Sequence, residues 1–271
     1  MNSTHTFDSP GPDEVAATTS LAGVAGRTWQ AVVIGAGPAG SAAATRLAAR
    51  GLAVLLVDAV AMPRPKLCGC CLSQTALGEL ASLERLAPLG RDSAGMPAGG
   101  LPLARVRLAK AAVTAVVPMP RGVVVSREAL DAAGVRRAIA AGVAWLSRTR
   151  VTSLADEAGP VTVGLAAAES PAERSQVVRV KAEIVVVAAG LADAIRFSGR
   201  DDRHERMIAA DSRVGLGTTL PADAGGPPPG ELVMAVAPRG YCGIVRLENG
   251  RIDIAAAVDR GIVAAVGSPA A

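Results

Sequence analysis

Ala31-Val32-Val33-Ile34-Gly35-Ala36-Gly37-Pro38-Ala39-Gly40 reads as a buried strand running into a glycine-rich turn, and the Ala-rich stretch Ser41 to Arg50 follows as a helix. Four consecutive apolar residues, three of them β-branched, suit a strand covered on both faces. Gly35 allows the tight turn. Gly37 lets an anion approach the backbone at the helix N-terminus, and Gly40 lets the helix pack close against the strand. Pro38 falls in the first helical turn, where proline is tolerated, and Gly51 stops the helix. Leu52 to Val57 is then a second strand, closed by Asp58 eighteen residues after Gly40. A carboxylate there accepts hydrogen bonds from ribose hydroxyls and repels a 2′-phosphate. A G-x-G-x-x-G set between strand and helix, with this acid after it, predicts a βαβ unit from about Trp29 to Asp58. Such a unit holds the ADP half of a dinucleotide, FAD or NAD.

Working outward, Leu72 to Leu86 has helical spacing, and Leu103 to Val117 reads as one or two strands ended by Pro118 and Pro120. Ser126 to Ala141 reads as a helix with Ser126 as its N-cap, although Gly134 inside it costs about 1 kcal/mol relative to Ala. Strands follow at Ala144 to Leu146, Arg150 to Leu154, Val161 to Leu165, Val177 to Val180 and Ile184 to Ala188. Beyond Gly190 come short strands at Val214 to Leu220, Leu232 to Val236, Gly243 to Leu247 and Ile252 to Val258. Glu248-Asn249-Gly250 is a hairpin turn signal between the last two. The fold class expected is α/β, a Rossmann-like FAD/NAD(P)-binding domain with an antiparallel β-sheet substrate domain. Residues 1–28, rich in small and polar residues without apolar period, read as a disordered tail. Residues 29–200 read as the dinucleotide-binding domain, with 101–120 a candidate for the second sheet, and 201–271 as a partial substrate domain.

The composition narrows the function. Half of the 271 residues are apolar, ample for a core of enzyme size. The 28 Lys and Arg against 24 Asp and Glu are scattered, with no basic stripe, so no nucleic-acid partner is expected. No run of about 18 apolar residues occurs and no leader pattern opens the chain, which reads as lacking a transmembrane segment and as cytoplasmic. Cys68, Cys70, Cys71 and Cys242 are too unevenly spaced for a disulfide framework. Cys68-Gly69-Cys70-Cys71 is too crowded for zinc, so no metal is expected. Lys66 and Arg64 are cations able to lower a nearby thiol pKa, which would make Cys68 or Cys70 reactive; buried, inert thiols are the alternative. His5 and His204 are isolated, which leaves a Ser-His-Asp mechanism no seat. Redox chemistry by a bound cofactor is what remains.

Taken in order, Gly35 to Gly40, Asp58, Pro63-Arg64-Pro65-Lys66-Leu67-Cys68-Gly69, Ser126-Arg127-Glu128-Ala129-Leu130-Asp131 and Val185-Val186-Val187-Ala188-Ala189-Gly190 resemble one superfamily. It comprises the geranylgeranyl-reductase-like and aromatic-hydroxylase-like FAD-dependent oxidoreductases, with the glutathione-reductase-type FAD fold. The resemblance implies FAD on Gly35, Ala36, Gly37, Pro38, Ala39, Gly40 and Asp58, with Arg64 and Lys66 in the next segment. It implies Arg127 at the flavin's phosphate or ribityl portion, the backbone of Val151 by the adenine, and Ala189 and Gly190 closing over the nucleotide. Cys68 and Gly69 would lie beside the isoalloxazine ring, Cys68 as the candidate catalytic residue. The activity implied is hydride transfer from reduced flavin to an unsaturated, isoprenoid-like small molecule, with NAD(P)H as transient electron donor and transient membrane-surface contact allowed. A flavin-dependent monooxygenase and a non-catalytic dinucleotide-binding module are the alternatives. The family's second flavin motif, Gly-Asp followed by a Pro-x-x-G helix, is not found. Asp259-Arg260-Gly261 is read as lacking the strand before it and the helix after it, which marks the sequence as a C-terminally truncated member or one with its remainder on another chain.

Overall fold

A computed structural model describes residues 14–88, 99–155, 159–169, 176–190, 197–198, 209 and 211–266. His5 and His204 lie outside the described residues. The elements run α1 (Leu21–Val24), β1 (Thr28–Ile34), α2 (Pro38–Ala48), β2 (Val54–Val57), β3 (Cys71–Leu72), α3 (Gln74–Leu86), β4 (Leu101–Lys110), β5 (Val113–Val124) and α4 (Arg127–Ala140). They continue with β6 (Ala144–Leu146), β7 (Thr149–Ala155), β8 (Val161–Ala167), β9 (Val178–Val187), β10 (Phe197–Ser198), β11 (Arg213–Leu220), β12 (Glu231–Ala237), β13 (Gly240–Arg246), β14 (Ile252–Asp259) and α5 (Arg260–Val266). Two compact units result, Met1–Arg64 with Asp131–Ile195 and Pro65–Leu130 with Arg196–Ala271. The sequence reading placed one boundary near residue 200, whereas the chain changes unit after Arg64, Leu130 and Ile195. Residues 65–130 are an excursion between the second and third parallel strands of the first unit, and a linear reading of periodicity carries no mark of where such an excursion returns.

In the first unit the strand order is β7-β8-β9-β1-β2-β6. β9, β1, β2 and β6 are parallel neighbours, and β7, β8 and β9 are antiparallel. Ala31 to Ile34 and Val54 to Val57 are all buried because both faces of the sheet are covered. On one face Val33, Leu56 and Trp145 pack with Ala44 of α2 and Ala132, Val135 and Ala138 of α4. On the other, Val32, Leu55 and Leu146 pack with Leu154, Val163 and Val180. Each of the buried Val and Leu side chains contributes about 1.5–3 kcal/mol of burial. A Cβ at Gly134 would stand 2.6 Å from Ser41 Oγ, so the glycine that weakens α4 locally is what lets it press on α2.

The expected tail is corrected from residue 14 onward. Val15 is buried, its N–H donates to Met62 O at 2.8 Å, and its carbonyl accepts from Trp145 Nε1 at 3.2 Å. Thr18 exchanges hydrogen bonds with the Trp145 backbone. A segment fixed by backbone bonds and one anchoring side chain shows no apolar period, so composition alone misjudged it.

The second unit is a sheet of order β11-β14-β13-β12-β4-β5-β3. Its described neighbours are antiparallel except β12 and β4, which are parallel. Glu231, 2% exposed at the start of β12, accepts from Arg105 Nε and from Arg107 Nε at 2.7 Å. The hydrogen bonds from Arg107 and Arg105 hold its carboxyl down at about 2. β5 runs through Pro118 and Pro120 instead of ending there. Its second neighbour, β3, pairs only with Val123 and Val124, so the prolines sit on an edge where no ladder donor is missed.

Candidate functional site

The turn after β1 is shaped by what side chains it cannot hold. Gly35 has φ +97°, and a Cβ there would lie 2.4 Å from Ala188 O. A Cβ at Gly40 would lie 1.8 Å from Gly35 O, so α2 packs against its own entry turn at a distance open only to glycine. Gly37 is the α2 N-cap and brings no side-chain cap, with Pro38 at N1, which leaves the first helical N–H groups free of a side-chain acceptor. Ala188 N donates to Ile34 O at 2.7 Å, which brings the Ala188-Ala189-Gly190 turn alongside.

Asp58, buried at the end of β2, braces this turn. Its Oδ2 accepts from Ala36 N at 2.7 Å and Arg64 Nη2 at 3.3 Å, and its Oδ1 accepts from Val60 N at 3.0 Å. Oδ1 keeps a free lone pair. Arg64 Nε is buried without a hydrogen-bond partner beside this carboxylate. A buried donor left unmatched costs about 1–3 kcal/mol, and an anionic or hydroxyl-rich ligand would recover it. An uncapped helix start, a glycine cradle closed to any Cβ and an orphaned guanidinium N–H beside an acid together fit the ADP portion of FAD.

The second unit holds the cysteine turn. Cys70 is buried with φ +51°, its Sγ 3.8 Å from Cys68 O. Val125 N donates to Cys70 O at 2.9 Å, and Cys71 pairs with Val124 in register, so the turn is fixed on β5. Cys70 packs with Leu103, Val124, Val245 and Leu247, with Cys68 and Cys71 at the margin. A hydrogen bond from Cys70, with Arg127 adding charge and a further bond, pulls the Cys68 thiol down to about 5. The bond to Cys68 and burial drive Cys70 upward, and burial pushes Cys71 up to about 12. Asp253 of β14 interacts with Cys70, and burial lifts its carboxyl to about 6. Ser126 caps α4 as expected, donating from N and Oγ to Glu248 at 2.9 and 2.6 Å while its Oγ accepts from Ala129 N.

Of the residues read from sequence, the first unit gathers Gly35 to Gly40, Asp58, Arg64, Ala189 and Gly190. Val151, in the same unit, is half-buried against the apolar cluster of that sheet, at an irregularity in the β7–β8 pairing. The second unit holds Lys66, Cys68, Gly69 and Arg127. Two expectations are corrected. The cation beside Cys68 is Arg127, not Lys66, which is exposed, or Arg64, which is engaged with Asp58. Asp259-Arg260-Gly261 has β14 leading into it and α5 following it, and Asp259 lies 3.5 and 3.6 Å from Arg213 and Arg239. Asp253 and Glu248 escaped notice. The signal for Asp253 was a lone acid between Ile252 and Ile254 in an apolar strand. Among the described residues no group of three or more His, Cys, Asp and Glu could hold a metal ion, and no helix is long and apolar enough to cross a membrane.

A family model described as pyridine nucleotide-disulphide oxidoreductase matches residues 29–211, most of the chain. The chain belongs to this family. Its fold is shared with solved structures of low sequence identity. The myxobacterial chondrochloren halogenase, an FAD-dependent halogenase, superposes with a TM-score of 0.68 at 22% identity, over 89% of this chain and 55% of that one. A geranylgeranyl bacteriochlorophyll reductase-like protein of Thermoplasma acidophilum gives 0.66 at 19% identity, over 87% and 58%. The menaquinone reductase of Mycolicibacterium smegmatis is 54% identical over 52 residues, 19% of this chain and 13% of the relative. The chain thus spans little more than half of those solved structures and a small part of the curated relative.

Proposed function

We propose that this chain binds FAD and serves a reductase acting on an unsaturated, isoprenoid-like small molecule. The observation that carries the reading is the Gly35–Gly40 turn braced by Asp58, with the orphaned Arg64 Nε beside it. Gly37 would let the diphosphate approach the N-terminus of α2, with Gly35 and Gly40 keeping the turn close beneath it, and the remaining lone pair of Asp58 would accept from a ribose hydroxyl. In the first unit Ala189, Gly190 and the Val151 backbone would flank the nucleotide; in the second, Arg127 would offer charge to the phosphate or ribityl portion, with Cys68 and Gly69 the residues proposed for the isoalloxazine ring. Bound FAD would supply the hydride transfer, with NAD(P)H as the transient donor. The menaquinone reductase match and the reductase-like neighbour support a reduced double bond as product. The apolar strand ends at Leu108, Val116, Val117 and Val236, each exposed by 40% or more, suit a lipid-like substrate or a membrane surface. A flavin monooxygenase is the second reading, favoured by the fold match to p-nitrophenol 4-monooxygenase of Pseudomonas putida at a TM-score of 0.59.

The test is an absorbance spectrum of the purified chain. Flavin bands near about 375 and 450 nm, with FAD released on denaturation, are expected. A colourless protein that binds ADP alone would reduce the reading to a dinucleotide-binding module. Alkene consumption without oxygen uptake separates the reductase from the monooxygenase. Gly69→Ala adds a Cβ that meets no protein atom within 4 Å, so a loss of flavin in that variant reports on the ligand and not on the fold.

A further inference from the structure

The cysteine turn contains more than a flavin neighbour needs. Two thiols two residues apart interact with each other, one beside a guanidinium and the other beside a carboxylate, all within the second unit. Asp253 is nine-tenths buried, its Oδ2 has no hydrogen-bond partner, and its carboxyl interacts with the Cys70 thiol. Cys70 occupies a left-handed conformation that a β-strand residue does not adopt, and this folds its Sγ back to within 3.8 Å of the Cys68 carbonyl. Gly69 between them has open space where a Cβ would stand. Glu128 and Arg251 are the remaining charges that face Asp253.

We propose that Cys68, Cys70, Asp253 and Arg127 form a peroxide-operated thiol–disulfide site, with Cys68 the attacking thiol, Cys70 the resolving thiol and Asp253 its base. In the first step the Cys68 thiolate attacks hydrogen peroxide. A sulfur–oxygen bond forms, the oxygen–oxygen bond breaks, and hydroxide departs beside the Arg127 guanidinium, which offsets its charge. Cys68 is then a neutral sulfenic acid. In the second step Cys70 passes its proton to Asp253 and its sulfur attacks that of Cys68. The disulfide forms, the sulfur–oxygen bond breaks, and the departing hydroxide takes the proton from Asp253 and leaves as water. Two electrons pass from the thiol pair to one peroxide. The largest influence on the Cys70 proton is its bond to Cys68, which changes when that sulfur is oxidised, while burial and Asp253 continue to act on it. Cys71, its thiol pushed up by burial, and Cys242, pushed up by the same cause, take no part.

The full chain, reduced and freed of reductant, is exposed to hydrogen peroxide, then alkylated and digested with trypsin. Cleavage after Lys66 and Arg85 puts Cys68, Cys70 and Cys71 on one peptide, Leu67 to Arg85, whose fragmentation locates each modification. The expected product is a Cys68–Cys70 disulfide with Cys71 and Cys242 still alkylated. Without peroxide, Cys68 should be alkylated on the order of 100-fold faster than Cys242 at pH 5. The lead should shrink to a few fold at pH 7, because a low thiol pKa raises the thiolate fraction but weakens the nucleophile. Cys70→Ser should leave a Cys68 sulfenic acid that dimedone traps, and Asp253→Asn should prolong that sulfenic acid. A Cys70–Cys71 disulfide, direct passage of Cys68 to sulfinic acid, or equal labelling of Cys68 and Cys242 at pH 5 would each overturn the proposal. The wild-type mapping decides it even if a variant does not fold. These readouts need no flavin, so they stand whether or not the chain proves to bind FAD.

Discussion

The Gly35–Gly40 turn follows β1 and the Cys68–Cys71 turn leads into β3, and each contains a residue with positive φ, Gly35 at +97° and Cys70 at +51°. They are held in opposite ways. The first is sealed by the backbone of Gly35 and of Ala188 and admits no Cβ at Gly35 or Gly40, whereas the second has open space at Gly69 and is defined by partners from β5, α4 and β14. A turn of the first kind is rigid and intolerant of sequence change. A turn of the second kind can be rewritten one residue at a time, and its chemistry rests on partners far along the chain.

Substitutions that separate the two turns order themselves by size. Gly40→Ala sets a methyl 1.8 Å from a backbone oxygen that cannot move without opening β1, so a loss of more than about 3 kcal/mol is expected. Thermal denaturation would show it as a Tm drop of roughly 10 °C or an unfolded product. Asp58→Asn turns one acceptor into a donor, either the one that faces both Ala36 and Arg64 or the one that faces Val60, and should cost about 1–3 kcal/mol in urea unfolding as well as weaken ADP binding. Asp253→Asn should act in the other direction. Its carboxyl lies near 6 in the folded chain against an ordinary 3.8, so the native state holds this proton more tightly than the unfolded one. The wild type therefore keeps its full stability below about pH 4 and loses it as pH rises through 6. The variant should be more stable by on the order of 1 kcal/mol at pH 8, with the difference gone at pH 4, in paired urea titrations. Gly69→Ala is the smallest, within about 0.5 kcal/mol, because nothing lies within 4 Å of the added carbon. A large loss there would erase the contrast between the turns.

The same contrast explains what could be read from the chain. Gly35 to Gly40 and Asp58 are legible because a glycine-only turn leaves its requirements in adjacent letters, and Ser126 is legible as a cap because its hydroxyl acts three residues away. Gly134 could be recognised as a local cost, but its reason, Ser41 of the neighbouring helix, could not. Arg127 was legible as a cation placed where the helix does not favour one, but its interaction with the Cys68 thiol, far away in sequence, was not. Asp253 lies more than a hundred residues from the thiol it faces, in a strand whose alternation gives no direction for its side chain. The hidden part of the site is the part assembled by sheet pairing.

The parallel pairing of β12 with β4 sets Glu231 opposite Arg105, with Arg107 on the same face two residues on. Moving β12 by one residue would place the carboxylate opposite Ala104 or Val106 and turn it to the other face of the sheet, away from both cations. A buried acid stripped of its partners is a heavy penalty for so small a slip. Glu231 therefore works as a checksum on strand alignment: the native register is the one that pairs this buried acid with both cations.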